Sequence, residues 1–166
     1  MQIDSLKKLF VDTLQDIYSA ERQITEAIPK MMNAAKSKEL KNAFKEHLEV
    51  TRIQVERLKE IFDNMNQSPG NKVCTAMKEI IHEGEEMISE ITDNEVLDAA
   101  LIASAQKIEH YEISGYGTAR TYADILGNDD ARDLLQTTLD EEKETDKKLT
   151  ELAVNTINVE AKEKHR

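Results

Sequence analysis

At 166 residues the chain is long enough for one domain with a core that needs neither disulfides nor a structural metal. A formal net charge of −11 argues against nucleic acid and anionic membranes as partners. No apolar run approaches the roughly 20 residues that span a bilayer, and the N-terminus lacks the apolar stretch of a signal peptide, so a cytoplasmic protein is expected. Cys74 is the one cysteine, which excludes an intrachain disulfide and a thiolate metal cluster. With five glycines, two prolines and few aromatics, an all-α fold is the expectation.

Apolar residues recur by threes and fours from about Asp4 to Asn33, through Phe10, Leu14, Ile17, Ile24, Ile28 and Met31. Pro29 should kink that helix. Ser37 is a fitting N-cap for a second helix with the stripe Leu40, Phe44, His47, Thr51, Gln54, Leu58 and Ile61, which Pro69 and Gly70 close off. A shorter amphipathic helix spans Val73 to Ile91, and a capping box of Thr92 with Glu95 opens a third long helix. That helix reaches Leu126 before the stop signal Gly127, and Asn128 or Asp129 caps a fourth that ends near Asn158. Residues 1–158 are thus read as a bundle and 159–166 as a polar tail. Tight joints make two antiparallel hairpins, and a connection of about thirty residues with its own helix links them. A faint repeat at 91 residues relates Ile17 and Glu21 to Ile108 and Glu112.

Each stripe is interrupted near its middle by polar residues. The first helix has Glu21 and the second has His47, Thr51 and Gln54. The third long helix has Glu109 and Glu112, three apart on one face, and the fourth has Glu142 and Asp146, four apart on one face. Five buried carboxylates would carry −5, with no lysine or arginine on the inner positions to offset them. Two divalent cations would reduce that to about −1, and five carboxylates with one imidazole match a di-metal carboxylate site. Glu79 and His82 form a Glu-x-x-His, but on the connecting helix, outside the four-helix core. His110 projects away from the Glu109 face, and His165 belongs to the tail. Tyr18 and Tyr116 lie one turn from Glu21 and Glu112, where they pack in the core or assist redox chemistry. Gly115 and Gly117 suggest a close helix crossing or a π-type distortion.

The stretches DIYSAERQI, LKNAFKEHLEVT, CTAMKEII, IEHYEISGYGTA and LDEEKETDKKLTELA resemble the YciE/YciF family of ferritin-like bacterial stress proteins over essentially the whole chain. The resemblance implies a rubrerythrin-like four-helix bundle with a short helix in its long crossover, a homodimer, and two iron or manganese ions reacting with dioxygen or peroxide. Carried over residue by residue, the implied metal ligands are Glu21 in YSAE, His47 in KEHLE, Glu109 and Glu112 in EHYE, Glu142 in DEEK and Asp146 in ETDK. No catalytic residue is singled out. The Glu-x-x-His of ferritins proper is missing from the second and fourth long helices. A helical interaction module without redox activity and an iron-storage mini-ferritin are the alternatives.

Overall fold

A computed structural model describes residues 2–163. Within them the chain forms α1 (Leu6–Ala34), α2 (Lys38–Asn64), α3 (Thr75–Glu90), α4 (Asn94–Ile125), α5 (Asp129–Leu152) and α6 (Asn158–Glu163). A π-helical turn, Ala153–Ile157, joins the last two. The protein is all-α: α1/α2 and α4/α5 are two antiparallel hairpins that make a ferritin-like four-helix bundle, and α3 lies in the crossover against α1 and α4. No helix among the described residues is long and apolar enough to cross a membrane.

Local chemistry sets the helix ends. The hydroxyls of Ser5 and Ser37 accept from the backbone N–H groups of Lys8 and Leu40, and Asn128 accepts from Ala131, so each helix start gains a partner for an otherwise unpaired donor. The start of α4 differs from expectation. Asp93, one residue beyond Thr92, is the N-cap and accepts from Glu95 and Val96 at 3.1 Å. An ionised carboxylate is the better match for the positive end of a helix. Gly127 adopts φ +70°, a left-handed conformation that a side chain would disfavour, and ends α4. Pro29 is accommodated inside α1. The helical path continues to Glu163, past the expected end at Asn158; 164–166, including His165, lie outside the described residues.

Asp98 secures the first hairpin from a distance in sequence. Its two carboxylate oxygens accept from the N–H groups of Lys36 and Ser37, both at 2.7 Å, and the residue is buried. These are two of the donors exposed where α1 stops and α2 starts.

The core is two apolar clusters stacked along the bundle. One contains Ile24, Ile28, Leu40, Phe44, Met77, Leu101 and Ile108. The other contains Phe10, Leu14, Ile17, Leu58, Phe62, Ala119 and Leu135. Between them lies a buried polar layer with residues from all four long helices: Glu21, His47, Thr51, Gln54, Glu109, Glu112, Thr138 and Glu142. Helix α4 is regular α-helix through Gly115 and Gly117, so of the two readings of these glycines the π distortion is not the one found. A Cβ on Gly115 would stand 3.2 Å from Ile17 Cγ1, which identifies a close approach of α4 to α1.

Candidate metal centre

Glu21 faces inward because it sits on the Leu14–Ile17–Ile24–Ile28 stripe of α1, all of whose members are buried. By the same helical spacing, α4 brings in Glu109 and Glu112, α5 Glu142, and α2 His47, Thr51 and Gln54. Ligand-type atoms of His47, Glu109, Glu112 and Glu142 all lie within 4.8 Å of one another, every one of these residues buried. Glu21 adjoins this group, close enough to Glu142 and Glu112 to interact with both electrostatically.

The layer is short of hydrogen-bond donors. Both oxygens of Glu109, both of Glu112, Oε2 of Glu21, Oε2 of Glu142 and Nε2 of His47 are buried without a hydrogen bond. The imidazole Nε2 is 3.0 Å from Glu109 Oε1, yet neither atom makes a hydrogen bond. Two side chains do donate. Tyr116 Oη donates to Glu21 Oε1, and Gln54 Nε2 donates to Glu142 Oε1 and, at 3.1 Å, to Glu141 Oε2. Beyond them Arg57 grips Glu141 with both terminal nitrogens, at 2.5 and 2.8 Å, and reaches Thr138 at 3.2 Å.

Burial and mutual repulsion displace the ionisation of these groups. Burial first, then the Glu142 charge, pushes the Glu21 carboxyl up to about 8, against the opposing effect of the Tyr116 hydrogen bond. The same two causes hold Glu109 and Glu112 well above the usual carboxylate range. Burial lowers His47, so the imidazole stays neutral and keeps a lone pair. Burial, then the Glu21 charge, raises the Tyr116 phenol. Without cations, Glu21, Glu109 and Glu112 favour their protonated forms. Cations would displace those protons.

The six residues singled out from the sequence separate into an inner and an outer group. Five line the buried layer. Asp146, one turn beyond Glu142, is half-buried with 23 % of its side chain exposed, 3.0 Å from Gln106 Nε2 and 3.3 Å from His110 Nε2. It is not among the four residues that converge, although its charge still reaches Glu109. His110 is exposed, as its position on α4 implied, and Glu79 and His82 lie exposed on α3, with His82 beside Glu86 at 3.5 Å. Tyr18 packs edge-on against Phe62, ring centroids 6.0 Å apart, whereas Tyr116 crosses the bundle to Glu21. Sequence reasoning missed the Arg57–Glu141 clamp. Its members are separated by 84 residues, and neither breaks an apolar stripe.

Residues 5–162 match the family described as Domain of unknown function (DUF892). The chain is also 44 % identical to Protein YciF of Escherichia coli (strain K12) over 165 residues, 99 % of each chain. It belongs to the DUF892 family of YciF-like proteins. The crystal structure of the E. coli stress protein YciF superposes with a TM-score of 0.91 at 45 % identity, over 94 % of this chain and 99 % of that one. YcfI from Rhodopseudomonas palustris follows at 0.88 and 44 % identity, over 90 % and 95 %. A protein from Xanthomonas campestris pv. campestris shares the fold, with a TM-score of 0.77 at 18 % identity over 97 % and 99 %.

Proposed function

We propose that this member of the family is a di-metal carboxylate protein, with two iron or manganese ions held by Glu21, His47, Glu109, Glu112 and Glu142, that reacts with dioxygen or peroxide and protects the cell under stress. The observation that carries the reading is the set of seven buried carboxylate and imidazole atoms without hydrogen bonds, gathered from four helices into one layer. Each unsatisfied polar atom costs about 1 to 3 kcal/mol in an ordinary core, so a concentration of them is stable only with protons or cations in their midst. Glu21, Glu109, Glu112 and Glu142 are fully or almost fully buried and carry −4 when ionised, a charge that two divalent cations balance. Oxygen donors with a neutral imidazole suit iron and manganese equally. Asp146 joins the proposed set from the rim, as an outer carboxylate that strengthens the negative field at Glu109.

When bound, such a pair supplies electrons and open coordination positions to dioxygen or peroxide. The chain's own side chains do the rest. Tyr116 and Gln54 each hold one oxygen of a carboxylate and leave the other free, which fixes the direction in which Glu21 and Glu142 present a lone pair. The apolar clusters above and below exclude bulk water. The stress role draws support from the E. coli relative, a stress protein. We place the assembly as a twofold dimer, the commonest closed symmetry; light scattering that gave a monomer or a cage of a dozen subunits would contradict it.

A second reading, a helical interaction module whose carboxyls share protons, is favoured by the raised proton affinities of Glu21, Glu109 and Glu112 alone. Anaerobic titration of the metal-free protein with Fe(II) separates the two. About two ions per chain should bind, Glu109→Gln with Glu112→Gln should abolish binding, and Asp146→Asn should weaken it less than Glu142→Gln. Saturation at zero would leave the proton-sharing module standing.

A further inference from the structure

The polar layer is sealed on most sides. Glu21, Glu109 and Glu142 have no accessible surface, Glu112 has 1 %, and His47 has 4 %. What contact the site has with its surroundings is therefore concentrated at the imidazole. There a cleft of about 80 Å³ runs between α2 and α5, walled by Phe44, His47 and Val50 on one side and Thr145 and Leu149 on the other, with exposed Lys148 beside it.

Two of the other seams are closed at this level. Between α1 and α4 the Gly115–Ile17 approach leaves no gap for even a methyl group without movement. Between α4 and α5, Gln106 binds Asp146 at 3.0 Å and Thr150 at 2.8 Å, and His110 lies beside the same aspartate. Helices α2 and α5 are themselves clamped at Arg57 and Glu141, yet part at His47, ten residues or about 15 Å along α2. A larger groove of about 200 Å³ along α1 and α2, lined by Arg22, Arg52 and Glu56, touches none of the site residues.

Building on the metal-binding reading above, we infer that the α2–α5 cleft is the entrance to the site, and that Val50 and Thr145 set the size of what passes. At about 80 Å³ the cleft has room for a few water-sized molecules. That accommodates a metal ion with part of its hydration, dioxygen or hydrogen peroxide. A bulky aryl hydroperoxide would fit it less well. Val50 and Thr145 are both half-buried and stand on opposite walls, so a larger side chain at either narrows the passage without replacing a metal-facing group.

The test is the rate at which the metal-free, full-length protein takes up Co(II), followed by visible absorbance in a stopped-flow mixer. Thr145→Phe should slow uptake at least tenfold at unchanged final occupancy, while Thr137→Phe, the same change on the exposed face of α5, should leave the rate as in wild type. Should Thr145→Phe fold poorly, Val50→Cys modified with benzyl methanethiosulfonate gives a reversible block: uptake slows on modification and recovers with reductant. After Fe(II) loading, oxidation by hydrogen peroxide should outpace that by cumene hydroperoxide in wild type, with the gap narrowed in Val50→Ala. Wild-type uptake rates in both blocked forms, or lost occupancy at an unchanged rate, would overturn the entrance while leaving the metal site intact. No Co(II) uptake by wild type would overturn the metal reading, and the entrance with it.

Discussion

His47 and Glu109 meet across the bundle from α2 and α4 with Nε2 and Oε1 3.0 Å apart and no hydrogen bond between them. Burial lowers the proton affinity of the imidazole and raises that of the carboxyl, so neither favours the charged form that a buried ion pair needs. In a structural ion pair the same residues would share a proton along a straight N–H···O line. On the proposed metal-binding reading the two would share a cation between them, and the stability of the protein becomes a readout of the site.

Glu112→Leu separates binding from folding. Neither Glu112 oxygen accepts from a side chain or backbone donor outside the carboxylate cluster, so the change strands no such donor, and it relieves the crowding of Glu112 with Glu21, Glu109 and Glu142. The metal-free variant should be more stable by about 1 to 4 kcal/mol. Thermal melts in chelator should show this as roughly 2 to 4 °C for each kcal/mol, and the rise on adding Fe(II) or Mn(II) should be lost. A variant that melts well below wild type in chelator, or keeps the full metal-induced rise, would remove Glu112 from the ligand set.

The pH dependence of the metal-free protein should run opposite to that of a protein held by ion pairs. Glu21 has a folded-state value of about 8 against an unfolded value of 4.5, so between those limits the folded state keeps a proton that the unfolded state has lost. Stability from this group is then present below about pH 4.5 and drains away as pH rises toward 8. Melting temperatures in chelator should fall across that window, less steeply in Glu21→Gln. With Mn(II) present the metal-induced increment should grow with pH, because loading requires those protons to leave. An identical slope in wild type and Glu21→Gln would count against the assignment.

Gln54→Leu should act with the reverse sign to Glu112→Leu. The Gln54 amide donates to both Glu141 and Glu142, and its removal leaves a fully buried Glu142 oxygen without its donor. A loss of roughly 1 to 3 kcal/mol in chelator is expected from urea denaturation, partly restored by metal, which would neutralise the freed carboxylate. An unchanged urea midpoint would show that Gln54 is not what holds Glu142.

Asp98→Ala tests the hairpin without touching the centre. Two backbone donors at 2.7 Å lose a charged acceptor, a cost of about 3 kcal/mol, or on the order of 10 °C in melting temperature. Asp98 is eleven residues before Glu109, about 16 Å along α4, so metal stoichiometry should be unaltered. Altered stoichiometry by elemental analysis would mean that the turn and the centre are coupled.

The sequence by itself determined the helices and the inward set of polar residues, because both follow from the period of one helix: Glu21 must share the face of Ile17 and Ile24, and Glu109 the face of Glu112. The caps Ser37 and Asn128 and the stop at Gly127 were legible for the same reason, since a helix end is satisfied by groups a few residues away. Thr92 misled because two adjacent residues could each cap α4, and the carboxylate of Asp93 is the one that accepts from Glu95 and Val96. Asp146 shows where helical periodicity stops being enough. It shares a face with Glu142, but one turn along α5 is a rise of about 5 Å, and whether that height meets the buried layer or the rim depends on how α4 and α5 are set against each other. The reach of Tyr116 to Glu21 over 95 residues, the Arg57–Glu141 clamp and the opening beside His47 are likewise relations between helices. Only the tertiary structure decided them, because packing distance and axial offset between two helices are written in neither helix alone.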